Sequence, residues 1–205
     1  IRIGQILADD KFGSVILNAD ISGNTGLTHT PLSLKLNSRI QHFEFKNHNY
    51  NNILLGLTHT PSATKGEIEL DNPYTKFKVS GELAKGRNGS SFRANAIIDK
   101  LNLKAINISD KWGDADFRGN IYADIKGTNI ANAQGVIQIR DFAYSTPDRQ
   151  IELSKLVLDS HFENKEQVIT LNSDFANIRI NGQFDIKSLS NSALNQLVSK
   201  IPAIP

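Results

Sequence analysis

The sequence predicts an all-β protein: an elongated, antiparallel-rich sheet of repeated strand units, ended by one short amphipathic helix. Three observations carry this. Residues 117–125 alternate, with Phe117, Gly119, Ile121, Ala123 and Ile125 on one side and Arg118, Asn120, Tyr122 and Asp124 on the other. A period of two marks a strand with one apolar and one wet face. The ADIKG of 123–127 has a near-copy, ADISG, at 19–23. Helical periodicity is confined to the end, where Leu194, Leu197, Val198 and Ile201 recur at i, i+3, i+4 and i+7.

Taken in order, residues 1–10 are a short apolar stretch that opens inside an expected strand and ends in the polar turn Asp9-Asp10-Lys11. Strands are then expected at 13–23, 31–36, 40–46, 50–57, 66–70 and 77–83. Asp71-Asn72-Pro73 separates the last two, since proline cannot donate to a ladder. The segment KGRNGSS at 85–91 is the longest loop-like stretch and the one internal boundary. It divides a first repeat unit, 1–84, from a second, 92–189. Strands follow at 92–98 and 101–108, where Ile106 and Ile108 fall out of phase with Leu101 and Leu103, so a bulge or break is expected near Ala105. A polar turn at 109–114 holds the single Trp. Further strands are expected near 116–126, 135–142, 150–160, 167–174 and 177–186. Ser190 or Asn191 caps the closing helix and Pro202 stops it, within a helix-and-tail segment at 190–205.

Composition narrows the functional classes. The net charge of +2 comes from 23 basic and 21 acidic residues scattered along 205 positions, so nucleic-acid binding has no electrostatic footprint. There is no cysteine, hence no disulfide or thiolate metal site. That is compatible with periplasm and cytosol alike. No apolar run approaches the ~20 residues that span a bilayer. The chain starts within an expected strand and contains no Met, so it reads as a piece of a longer protein. No P-loop, GxGxxG, GxSxG or HExxH motif occurs, and neither an enzyme activity nor a cofactor is expected.

The two halves align at an offset of 101, which puts Leu70 on Leu171, Phe77 on Ile178, Val79 on Ile180, Gly81 on Gly182 and Leu83 on Phe184. An ordered series of matching elements points to a quasi-one-dimensional stack. Such a sheet must hide its apolar face by closing into a barrel, folding into a sandwich or curling into a trough. The residues expected on that face include Val15, Leu17, Ile21, Leu34, Phe77, Val79, Ile121, Ile125, Ile137, Ile139, Ile169, Leu171, Ile178, Ile180 and Phe184. Read from the residues alone, this is an ordinary dry core.

The ordered segments IGQILADDKFGSVILNADISG, RIQHFEFKNHNYNNILLGL and GEIELDNPYTKFKVSGEL resemble the repeat unit of the TamB (translocation and assembly module) family, in its Bacteroidetes-type versions. LNLKAINISDKWGDADFRGNIYADIKG and NIRINGQFDIKSLSNSALNQLVSKIP continue the likeness over nearly the whole chain. The resemblance implies a β-taco or trough of the AsmA-like, bridge-like lipid transfer superfamily. It implies a periplasmic segment of an envelope protein whose inner-membrane anchor lies outside this sequence. Its apolar lining would carry phospholipid acyl chains between the inner and outer membranes, with an Omp85-class outer-membrane barrel as partner. The alternative is a periplasmic scaffold that holds outer-membrane proteins, or that partner, by strand addition to its edges.

The remaining signals have bland readings. GLTHTP occurs at 26–31 and again at 56–61, so His29 and His59 could face one another, yet two histidines without a carboxylate make a poor metal set. Two similar strand exits, each ended by proline, account for the pair. His42 and His48 fit no common zinc spacing. Asp114 and Asp116 read as a polar turn at a strand start and not as a catalytic pair. Trp112 reads as a loop aromatic covering the sheet end, with a membrane or partner anchor as the other reading. The closing helix would cap the sheet edge or lie in the trough in place of a lipid.

Overall fold

The computed structural model describes residues 2–24, 31–87, 89–128 and 132–182. Twelve strands form one antiparallel sheet: β1 (Phe12–Asn24), β2 (Ser33–Phe45), β3 (His48–Tyr50), β4 (Ile53–His59), β5 (Ala63–Asn72), β6 (Thr75–Gly86), β7 (Gly89–Asn102), β8 (Asp116–Gly127), β9 (Gln134–Thr146), β10 (Arg149–Glu163), β11 (Glu166–Ser173) and β12 (Asn177–Gly182). The order is β1-β2-β4-β5-β6-β7-β8-β9-β10-β11-β12, with the short β3 paired to β2. Among the described residues every partner is a near neighbour in sequence, and the sheet stays open, with β1 and β12 as its edges. Ten steps of ~4.8 Å make it about 48 Å from edge to edge.

Local chemistry sets the turns. Lys46-Asn47 and Asn164-Lys165 take positive φ at both positions, the two-residue geometry that matches strand twist. At Pro73-Tyr74 the Asn72 side chain accepts from the backbone N–H of Tyr74 and Thr75 at 2.9 and 2.8 Å. In β9, Asp141 sits at φ 51° opposite a register skip at Gly119, so the bulge shifts the alternation. Ile137 and Ile139 before it and Phe142 after it therefore share a face, and Phe117 lies 6.5 Å from Phe142.

Several expectations are corrected. Residues 1–10 do not begin a strand: α1 (Ile3–Leu7) is a single helical turn, closed by Ala8 in the left-handed region with Asp9 N–H on the Gly4 carbonyl. The strand expected at 101–108 is absent, because β7 ends at Asn102 and 103–115 forms a strap of turns. The strap rises over the apolar face, which is why Ile106 and Ile108 lost the phase of the strand. The loop expected over 85–91 shrinks to the turn between Gly86 and Gly89, and the sheet passes through it unbroken. The alternating runs 31–36 and 40–46, the second continuing the first, fall in the single strand β2.

The positions matched in sequence occupy equivalent ladders. Leu70 pairs with Phe77 and Ile68 with Val79 in β5–β6, while Leu171 pairs with Ile178 and Ile169 with Ile180 in β11–β12. Phe184 and the helix expected within 190–205 lie outside the described residues.

Candidate functional site

Cross-strand register assembles the apolar face into rows that run across the sheet. One row reads Ile21, Leu36, Leu57, Gly66, Gly81, Ala94, Ala123, Ile137, Leu158, Leu171 and Ile178, each the ladder partner of the next. Eleven consecutive strands contribute, and every member is apolar or glycine. The middle of the row is small, so Gly66, Gly81, Ala94 and Ala123 floor a furrow. On one side it is walled by the row Leu55, Ile68, Val79, Ala96, Ile121, Ile139 and Leu156. On the other stand Leu83, Phe92 and Ile125.

The candidates named from the sequence fall on this face. Ile21, Ile137, Leu171 and Ile178 lie in the central row, and Val79, Ile121 and Ile139 in one wall. Leu34, Ile125, Ile169 and Ile180 occupy the far rows, with Phe77 and Leu17 nearer the strap. Val15 is buried opposite Phe43. The opposite face is polar and carries the ion pairs Lys65–Glu82, Lys78–Glu69 and Arg93–Asp124.

Among the described residues, the apolar face is covered at one end only. There the strap drops Ile106, 1% exposed, onto Tyr50, Ile53 and Leu70. The Tyr50 hydroxyl donates to the Ile106 carbonyl, Asn107 Nδ2 donates to the Lys46 carbonyl, and Lys46 Nζ to the Ile108 carbonyl. Burial pushes the Tyr50 phenol up from its ordinary pKa. Trp112 meets Phe117 edge-on at 5.6 Å and Tyr144 at 6.3 Å, the role of a loop aromatic covering the sheet end. Beneath it lies an open pocket of about 280 Å³ lined by Leu101, Leu103, Phe117, Ile121, Ile139 and Phe142 among others. Away from the strap the face is open: Ile21 is 69% exposed, Leu83 49% and Phe92 44%. Contiguous exposure of this kind marks a binding surface.

Larger depressions, of about 500 Å³ each, lie on the polar face around Gly56. Their walls are long charged side chains such as Glu67, Glu69, Lys78 and Lys65, and a Cβ at Gly56 would meet Glu67 at 2.9 Å. They are gaps between solvated, mutually paired side chains. On the apolar face the concave features are the furrow and the strap pocket.

The other sequence signals resolve structurally. β4 ends at His59, whose Nδ1 lies 2.8 Å from Thr64 Oγ1, and Pro61 follows in the turn; His29 is outside the described residues. Asp114 pairs with Lys104 at 3.1 Å and Asp116 accepts from Asn102 at 3.2 Å, so the two carboxylates serve separate contacts. His48 packs edge-on against Tyr50. No group of three His, Cys, Asp or Glu among the described residues could hold a metal. One constellation escaped the sequence reading. Asp159, His161 and Glu163 alternate along β10, with His161 Nδ1 at 2.6 Å from Asp159 and Nε2 at 3.0 Å from Glu163, which also pairs with Arg179. The D-x-H-x-E spacing was its visible signal.

No protein-family model, curated protein or solved structure matches the chain. Among the described residues, no helix is long and apolar enough to cross a membrane.

Proposed function

We propose that this chain is a non-enzymatic segment of a cell-envelope protein whose apolar face shields phospholipid acyl chains as they pass between the inner and outer membranes. It would work in the periplasm, as part of a TamB-like protein anchored in the inner membrane outside this segment. What supports the reading is the apolar row that continues across eleven strands and that, among the described residues, no segment covers away from the strap. The furrow runs perpendicular to the strands, so a chain sliding along it meets methyl and methylene groups at every ~4.8 Å step. At ~25 cal/mol per Å² of apolar area, an acyl chain laid there gains several kcal/mol over water. Transport is passive in this scheme, and the charged opposite face keeps the scaffold dispersed.

The test is native mass spectrometry of protein purified from a Gram-negative periplasm, with organic extraction of bound material. Near-stoichiometric phospholipid, lost in a folded Ile121→Asp variant, is the expected result. Lipid-free protein that takes up no fluorescent lipid would sink the reading.

A second reading has its own observation. β1 presents thirteen residues of edge strand, bridged on its outer side by Arg2–Ser14. Such an edge can accept a strand from an outer-membrane protein or an Omp85-class barrel. Proline substitutions on β1 would abolish that binding and leave lipid uptake intact.

A further inference from the structure

The strand pairs β1–β2 and β8–β9 repeat one another in space. Phe12 sits on Phe43 and Phe45 at 6.3 and 5.1 Å, as Phe117 sits on Phe142 and Tyr144 at 6.5 and 5.3 Å. Leu17 pairs with Ile40 as Ile121 pairs with Ile139, and both ladders shift register close to that pair. The ADISG of β1 therefore takes the place of the ADIKG of β8, with Asp20 equivalent to Asp124. Their outer sides differ. Along this side β8 is paired by β7, with Phe92 opposite Ile125, Arg93 opposite Asp124, Ala94 opposite Ala123 and Ala96 opposite Ile121. Arg93 donates to the Asp124 carboxylate through Nε at 3.3 Å and Nη2 at 3.2 Å. On the outer side of β1, among the described residues, only Arg2 is paired, to Ser14. Residues 16–24 are all exposed: Ala19 lies open where Ala123 is buried, and Asp20 has no ion pair among the described residues.

We infer that the outer edge of β1 takes an antiparallel strand of another polypeptide, one that places a basic residue opposite Asp20 and apolar or small residues opposite Ile21, Ala19 and Leu17. This rests on the strand-acceptor reading above and gives the incoming strand its chemistry. Charge complementarity selects the occupant. Backbone pairing alone accepts any extended chain, whereas opposite charges across a ladder stabilise it and like charges oppose it. A second copy of this chain does not fit. Its β1 contains no Lys or Arg to meet Asp20. Its other edge, β12, runs the same way as β1 after ten antiparallel steps, so it pairs antiparallel only with its apolar face turned to the opposite side of the sheet. Its β7 has the right pattern but is held in ladders on both sides.

The probe is a capped synthetic peptide with the sequence of residues 90–98, SSFRANAII. Its binding to the whole chain is measured by fluorescence anisotropy and located by hydrogen exchange. The peptide should bind in a salt-sensitive way and protect the amides of residues 15–24. An Arg93→Glu peptide should bind about tenfold more weakly, because like charges then face each other. Asp20→Lys in the chain should reverse the order of the two peptides, which damage to the fold would not do. A peptide with Ala94→Pro and Asn95→Pro should not bind, since one of the two prolines removes an N–H aimed at β1. Binding that protects 15–24 but ignores both charge changes overturns the basic residue and leaves the strand-acceptor reading standing. Protection confined to β12, or sedimenting dimers whose 15–24 amides are protected without peptide, overturns another polypeptide as the occupant of β1. Absence of binding by every peptide overturns the inference and the strand-acceptor reading together.

Discussion

Replacing Ile106 by Ala tests whether the strap is held by its own small core. The substitution removes three carbons from a side chain that is 1% exposed and packed on Tyr50, Ile53 and Leu70. Three carbons at ~0.8 kcal/mol each give a transfer loss of about 2.4 kcal/mol. The cavity left against three large neighbours brings the total toward the upper half of the ~2–5 kcal/mol range for such truncations. The strap's other attachments are the hydrogen bonds from Tyr50 and between Lys46 and residues 107–108, and the seat of Trp112 on Phe117 and Tyr144. The loss should therefore appear as early undocking of 103–115 while the strands stay paired. Trp112 is the chain's single tryptophan and sits in the strap on Phe117 and Tyr144, so its fluorescence reports docking. In a urea titration the fluorescence transition of Ile106→Ala should fall well below that of the far-UV signal. Tyr50→Phe, which strands a buried carbonyl, should act in the same direction by ~1–3 kcal/mol. Coincident transitions displaced by less than about 0.5 kcal/mol, the scale of a surface change, would refute the argument.

Two further predictions follow from single residues. Thr75 is fully buried and its hydroxyl has no hydrogen-bond partner among the described residues, so Thr75→Val should raise the chemical-denaturation midpoint, by about 1 kcal/mol in stability; a lower midpoint would mean the hydroxyl is satisfied. His161 has its pKa raised above 6.5 by hydrogen bonds to Glu163 and then Asp159, while Glu163 has its pKa lowered, first by His161 and also by Arg179. The imidazolium's contribution is complete below 6.5 and fades as pH rises through its raised value; the carboxylate's is complete above 4.5 and fades as pH falls through its lowered one. A proton NMR titration should place His161 above 6.5, and Glu163→Gln should move it down; a midpoint at or below 6.5 contradicts the geometry.

Much of the sheet was legible because one face of every strand meets water, and a period of two survives wherever that holds. The apolar assignments from Val15 to Ile180 rest on that alternation alone. The furrow floor was not legible. Gly66, Gly81, Ala94 and Ala123 come from four strands and form one row only through register, which depends on turn geometry and bulges. The strap was misread because Leu103, Ile106 and Ile108 are as apolar as strand residues, and the phase error of the last two read as a bulge or break within a strand. Five residues of α1 are too few to display a helical period. At Asp141 a single left-handed residue re-aims Phe142, and nothing in the local pattern marks it.

Because each described strand bonds only to strands close to it in the chain, adding a unit of strands opens a single ladder and leaves the others as they are. Six strand steps separate β1 from its counterpart β8, so duplicating one such unit would lengthen the molecule by about 29 Å. Reach thus becomes a quantity that gene duplication can tune in fixed increments, so that under the proposed envelope role a gap between two membranes is matched by counting units without redesigning any of them.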